Sequence, residues 1–149
     1  RAHGMANAKY ARLMVRWGLV GGAAVGLAVG LAGPLVAPLF SSDPAVRTAV
    51  VAALIVVGVG QPIAGYVFVL DGVLIGAGDG RWLALGMTVV LIAYLPVVAV
   101  LRLSSAWLAA QGPSVATAAL WLGFTVFMLI RAATLWWRER GDRWLVTGV

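Results

Sequence analysis

Uncharged apolar residues dominate four stretches of the chain, and short polar segments separate these stretches. Each stretch is about 20 residues or longer, the length that a helix needs to cross a bilayer. We therefore predict four transmembrane helices at about 16–40, 49–78, 82–102 and 115–137. Residues 1–15 are expected to be the end of a preceding cytoplasmic loop or helix, and residues 138–149 to form a cytoplasmic tail. The predicted fold class is an all-α membrane protein.

Two connectors between the predicted spans carry features of their own. Asp79 lies in the short polar break at 78–81, where we expect it to cap the following helix or to meet Arg81. The connector at 102–114 is longer, and Trp107 favours a short interfacial helix there.

The overall composition excludes several classes of function. Hydrophobic residues make up 62% of the chain and charged residues 11%, whereas soluble domains carry about 25% charged residues. A single histidine and no cysteine exclude a Cys/His metal cluster, a disulfide framework and a cysteine nucleophile. We expect no metal and no cofactor. The net charge of +6 does not indicate nucleic-acid binding, because the basic residues lie at the ends of apolar runs.

The basic residues are distributed unevenly between the two sides that four spans define. One side collects eight of them: Arg1, Lys9, Arg12, Arg16, Arg81, Arg138, Arg140 and Arg143. The other side has Arg47 and Arg102, and Arg131 is embedded in the last span. Cytoplasmic loops are enriched in lysine and arginine. We therefore expect a multi-pass protein of the cell membrane with both ends of this chain in the cytoplasm.

Two opposite charges are predicted at similar depth inside the membrane. Asp71 and Arg131 each lie about six residues, or roughly 10 Å, from the cytoplasmic end of their spans. We expect a contact between them, direct or through a water molecule, because pairing offsets part of the cost of burial. Alternatively, Arg131 extends to the interface. Asp71 is either a proton- or cation-sensitive group that biases a conformational change, or a structural carboxylate.

Small and helix-bending residues mark the first two spans. Gly18, Gly22, Gly26 and Gly30 recur every four residues and predict a helix-packing seam, with a substrate-facing groove as the alternative. Four residues of the second span are candidates for a cavity or hinge: Gln61, Pro62, Gly65 and Gly72. Gln61 either binds a substrate or cation or ties two helices together. Pro62 is either a hinge or a static kink.

Two segments at the ends of the first two spans form a recognisable pair of motifs. The first ends in an F-x-x-D-P-x-V turn formed by Phe40, Asp43, Pro44 and Val46. The second is FVLDGVLIGAGD, residues 68–79, which closes the second span. Together these segments resemble MATE multidrug exporters, in particular their DinF-like branch. The resemblance implies that these four helices are the C-terminal part of a twelve-helix, two-lobe transporter. The chain begins with Arg1 and is expected to be a fragment that eight further helices complete.

The resemblance also implies export of cationic or amphipathic compounds by alternating access, driven by inward flow of H⁺ or Na⁺. Asp71 matches the D-G position of the family pattern. The acid most associated with coupling in the DinF-like branch lies in the amino-terminal lobe, so a coupling role is not transferred to Asp71.

Three other functions remain open at this point. A lipid-linked oligosaccharide flippase of the same wider superfamily is expected to line a groove with several basic groups, whereas only Arg131 is embedded here. A phospholipid-synthesis enzyme needs several clustered acids around a metal, and the chain offers Asp71 and Asp79. A small four-helix scaffold protein is the third. We further expect the isolated chain to self-associate or to be unstable outside the full-length protein, with its glycine stripes facing lipid or other copies.

Overall fold

The computed structural model describes residues 2–141, 143 and 144, and these form five helices without a strand. The helices are α1 (Ala2–Phe40), α2 (Pro44–Gly76), α3 (Gly80–Leu103), α4 (Ser105–Ala110) and α5 (Pro113–Arg140). Four of them, all but α4, are long and apolar enough to cross a membrane. The predicted all-α membrane fold is confirmed.

The ends of the helices differ from the predicted spans for local reasons. The basic segment at 2–15 continues α1 and is not a loop. The second span begins at Pro44 because the Asp43 carboxylate accepts a hydrogen bond from the Ala45 N–H at 2.8 Å. It ends at Gly76, and Gly78 in the turn that follows has a φ of 77°, in the left-handed region that glycine adopts readily. The short helix expected around Trp107 is present as α4.

Helix α2 lies at the centre of the bundle, where α1 packs antiparallel along one side and α5 packs along another. Helix α3 packs mainly against α5. The most buried apolar side chains are Leu70 and Leu74 of α2, Val90 of α3 and Leu135 of α5. The outer faces of α1 and α3 are apolar and exposed, as expected of surfaces that meet lipid or further helices.

Candidate functional site

Backbone atoms of α1 and α2 meet directly at the glycines of the first span. A Cβ atom added at Gly18 would lie 2.9 Å from the carbonyl oxygen of Gly65. A Cβ at Gly22 would collide with the carbonyl oxygen of Gln61, and one at Gly26 with that of Gly58. These helices can therefore approach only because glycines stand at the contacts. The structure places these glycines in a packing seam, as the first interpretation expected.

The seam leaves the four-residue pattern after Gly26 and continues at Gly33, where an added Cβ would lie 3.7 Å from Leu54 of α2. The space at the Cβ position of Gly30 is open, and so is that at Gly72. Gly65 belongs to the seam with α1, where a Cβ would collide with the Gly18 carbonyl oxygen, and it is not among the residues that line the cavity at Gln61. The expectation that the glycine stripe faces lipid or other copies is wrong for Gly18, Gly22 and Gly26, because α2 covers them.

Pro62 lies in the same seam, and α2 continues through it without a break in the helix. Proline has no N–H, so it cannot donate to the carbonyl oxygen of the residue four positions earlier, Gly58. That oxygen lies against Gly26 of α1. A Cα–H group of glycine can act as a weak donor to such a carbonyl. The proline therefore lies where a helix neighbour compensates part of its missing hydrogen bond.

The predicted contact between Asp71 and Arg131 is confirmed. Arg131 Nη2 donates a hydrogen bond to Asp71 Oδ1 at 2.6 Å. The Arg131 side chain is 5% exposed and the Asp71 side chain 29% exposed. The alternative in which Arg131 extends to the interface is thereby excluded. The pair joins α2 to α5 inside their membrane-spanning segments.

The buried guanidinium of Arg131 lies among three spans. Its Nη1 atom lies against Gly86 of α3, where an added Cβ would be 3.3 Å away, and Trp82 packs beside the same glycine. Neither Nη1 nor Nε has a hydrogen-bond partner among the described residues. A single hydrogen bond therefore anchors a cation that carries five donors. Such a partly satisfied charge responds strongly to any change in its partner.

A second ion pair closes the end of the bundle where α2 and α5 end. Arg138 Nε donates to Asp79 Oδ2 at 2.6 Å, and the Arg138 guanidinium lies 5.5 Å from the centre of the Trp82 ring. Asp79 occupies the N-cap position of α3, and its backbone oxygen accepts from the Leu83 N–H at 3.1 Å, but its side chain makes no capping hydrogen bond. The expected cap is therefore present in the backbone alone, and the side chain pairs with Arg138 and not with Arg81. The contact between Asp79 and Arg138 could have been predicted from the sequence, because both residues follow predicted spans that end on the same side of the membrane.

A third polar contact between α2 and α5 was not anticipated. The Tyr66 hydroxyl donates to Glu139 Oε2 at 3.2 Å. Both residues are part-buried. Tyr66 lies among the apolar residues of the second span, where no local pattern indicates that an acid near the end of the last span contacts it. Three polar contacts therefore connect α5 to α2 and to the turn that follows α2.

Gln61 lines a small cavity between α2 and α5. The cavity has a volume of about 100 Å³. Its walls are mostly apolar and include Ala64, Trp121, Phe124 and Met128. The ring of Phe124 packs edge-on against Trp121 at 6.0 Å between centroids. Pockets of this kind, apolar with a few polar groups, are typical of small-ligand sites.

Within the described part of the chain, two acid–arginine pairs link α5 to α2 and to the turn that follows α2. Each of Asp71 and Asp79 is held by an arginine on α5. Two carboxylates that are paired separately do not form a shared metal site. Protonation of Asp71, or binding of a cation to it, would leave Arg131 without its counter-charge and would weaken the α2–α5 contact.

Comparison with known proteins identifies the family. The family model described as MatE matches residues 2–103. The matched region comprises α1, α2 and α3, and therefore includes the glycine seam, Asp71 and Gly86. No curated protein and no solved structure matches the chain. Proteins of the MatE family are transporters and not enzymes. This chain, with its four apolar spans, belongs to the MatE family of membrane efflux transporters.

Proposed function

We propose that this chain forms part of a multidrug or cation antiporter of the DinF-like branch, which exports cationic or amphipathic compounds by alternating access. The observation that carries the proposal is the MatE match over residues 2–103. Eight further helices complete a twelve-helix, two-lobe transporter in the cell membrane. Both ends of this chain lie in the cytoplasm, in agreement with the concentration of arginine and lysine at that end.

The Asp71–Arg131 pair is proposed as the element through which H⁺ or Na⁺ acts on these helices. The pair is a 2.6 Å contact with one partner nearly fully buried. Neutralising Asp71 leaves a buried cation uncompensated, so α5 is driven to a new position relative to α2. Inward flow of the coupling ion can thereby be linked to a change in the packing of the lobe.

The cavity at Gln61 is proposed to contact part of the exported compound. Its volume of about 100 Å³ accommodates a small ring and not a whole drug molecule. The Trp121 and Phe124 rings at its wall attract cations and aromatic groups. The Gln61 amide adds one polar group to an otherwise apolar wall.

The first test is the reading frame upstream of Arg1, which is expected to encode eight further spans. The full-length protein is then produced in a bacterial strain that lacks its main drug exporters, and accumulation of a cationic dye is measured. Expression is expected to lower dye accumulation in a manner that an uncoupler of the ion gradient abolishes. No change in dye accumulation by a correctly inserted full-length protein would refute the exporter proposal.

A charge-swap variant separates the coupling role of Asp71 from a structural role. Asp71→Asn alone is expected to abolish transport and to lower stability. The double variant Asp71→Arg/Arg131→Asp restores opposite charges at the two positions and is expected to recover stability. If Asp71 receives the coupling ion, transport stays lost in the double variant. Recovery of transport together with stability would show that the pair is only structural.

A further inference from the structure

Positive charge without a counter-ion collects at the end of the bundle where α1 begins and α5 ends. Lys9, Arg12 and Arg16 follow one another at intervals of three and four residues, so they share one face of α1. All three are exposed, and none makes an ion pair within the part of the chain that the structure describes. Arg140 at the end of α5 is likewise exposed and meets no carboxylate there.

A groove of about 460 Å³ opens at this end, between the first turns of α1 and the last turns of α5. Arg12 and Arg140 both line it, together with Trp136 and Trp144. The Arg140 guanidinium stacks on the Trp136 ring at 3.7 Å from the centroid, which fixes the orientation of the cation. Trp144 is 6% exposed, and its indole N–H donates to the Glu139 carbonyl oxygen at 3.2 Å. The groove therefore has ordered aromatic walls.

One acid, Glu139, also lines the groove. Its carboxylate accepts the hydrogen bond from Tyr66 on the α2 side, so part of its hydrogen-bonding capacity is directed away from the arginines. Two arginines against one such acid leave the groove positive, and Lys9 and Arg16 on the same face of α1 add to the positive potential.

We propose that this groove binds the phosphate group of an anionic phospholipid, with Arg12 and Arg140 as its ligands. Guanidinium groups bind phosphate oxygens through paired N–H donors. The groove lies at the end of four spans, the depth at which lipid headgroups meet a membrane protein. Tryptophan side chains favour this interface, with the ring in apolar surroundings and the N–H in polar ones. Basic pockets between spans are suited to anionic headgroups.

Binding is tested by native mass spectrometry of the purified full-length protein in mild detergent. The protein is titrated with dioleoyl phosphatidylglycerol, with the corresponding phosphatidylcholine, and with phosphatidylglycerol in the presence of excess inorganic phosphate or of chloride at equal ionic strength. Phosphatidylglycerol is expected to bind at least about five-fold more tightly than phosphatidylcholine, the effect of one basic residue near a lipid phosphate. Phosphate is expected to compete no better than chloride.

Single variants locate the site. Arg12→Gln and Arg140→Gln are each expected to weaken phosphatidylglycerol binding about five-fold. Arg12→Lys is expected to retain most of the binding, because the charge remains. Arg81→Gln is the matched control, since Arg81 is exposed at the same end of the bundle but does not line the groove. Circular dichroism establishes that the variants keep their helix content, so that a loss of binding reflects the site.

Three results would overturn the proposal. An equal loss in Arg81→Gln would show general attraction to the surface and no defined groove. Equal binding of phosphatidylcholine would show that the arginines do not select the headgroup charge. Displacement of phosphatidylglycerol by inorganic phosphate, and not by chloride, would make the site one for a free phosphate group and not for a lipid.

Discussion

Replacing Asp71 with asparagine removes the negative partner of Arg131 and keeps nearly the same shape. The Arg131 side chain is only 5% exposed, so the guanidinium remains buried as an uncompensated cation. Breaking a buried ion pair from one side costs about 3–5 kcal/mol. The asparagine carbonyl retains a neutral hydrogen bond, which offsets about 1 kcal/mol. We expect the free energy of unfolding to fall by about 2–4 kcal/mol.

Removing the other partner is expected to cost less. The Asp71 side chain is 29% exposed, so the carboxylate left by Arg131→Gln is less buried than the cation left by Asp71→Asn. A loss of about 1–2 kcal/mol is expected for Arg131→Gln. The double variant carries neither charge, and its loss is expected to be smaller than the sum of the two single losses by about 1–3 kcal/mol.

The measurement is reversible unfolding of the purified full-length protein in mild detergent, followed by circular dichroism. Asp43→Asn is the matched control, because Asp43 is exposed and caps α2 through its side chain. Asparagine caps helices about as well as aspartate, so this variant is expected to change stability by only a few tenths of a kcal/mol. If Asp71→Asn costs no more than this control, or if the single losses simply add, the reasoning about the buried pair is refuted.

Three further changes test the packing around this pair. Gly26→Ala places a Cβ against the backbone of α2 and is expected to lower the free energy of unfolding by about 1–3 kcal/mol. Gly30→Ala enters open space and is expected to be neutral or stabilising. Denaturation in detergent compares the two variants, and equal effects would contradict the seam. Gly86→Val intrudes on the buried guanidinium and is expected to lower the melting temperature by several degrees, so an unchanged melting temperature would count against the three-span contact. Arg138→Gln leaves the buried Asp79 carboxylate without its cation and is expected to lower the free energy of unfolding by about 3 kcal/mol in the same assay. Arg81→Gln is expected to change it by no more than about 0.5 kcal/mol. Similar values for both variants would contradict a buried pair.

Depth along a span was enough to predict one polar contact and not the others. Asp71 and Arg131 each lie about six residues from the ends of their predicted spans, and helix geometry converts that spacing into similar depth. The Asp79–Arg138 pair joins the ends of two spans 59 positions apart. Local rules favour a nearby helix cap for such an aspartate. The contact from Tyr66 depends on how α2 and α5 lie against each other, which apolar periodicity does not specify.

Helix geometry explains why the glycine pattern was only partly informative. A repeat of four residues slightly exceeds the 3.6 residues of a helical turn, so its members shift gradually around the helix. Gly22 and Gly26 face α2, whereas the Cβ position of Gly30 points into open space. The contact continues at Gly33, which faces Leu54 of α2. The length of the apolar runs predicted the spans, while the full set of contacts between them had to come from the structure.

The direct backbone contact between α1 and α2 has a mechanical consequence. At Gly22 and Gly26 no layer of side chains lies between the two helices that could repack to let one slide past the other. The boundary between α2 and α5 is different, because it contains a cavity of about 100 Å³ and polar contacts that can be exchanged. We therefore expect α1 and α2 to move together as one rigid body, and deformation of the bundle to concentrate at the boundary between α2 and α5.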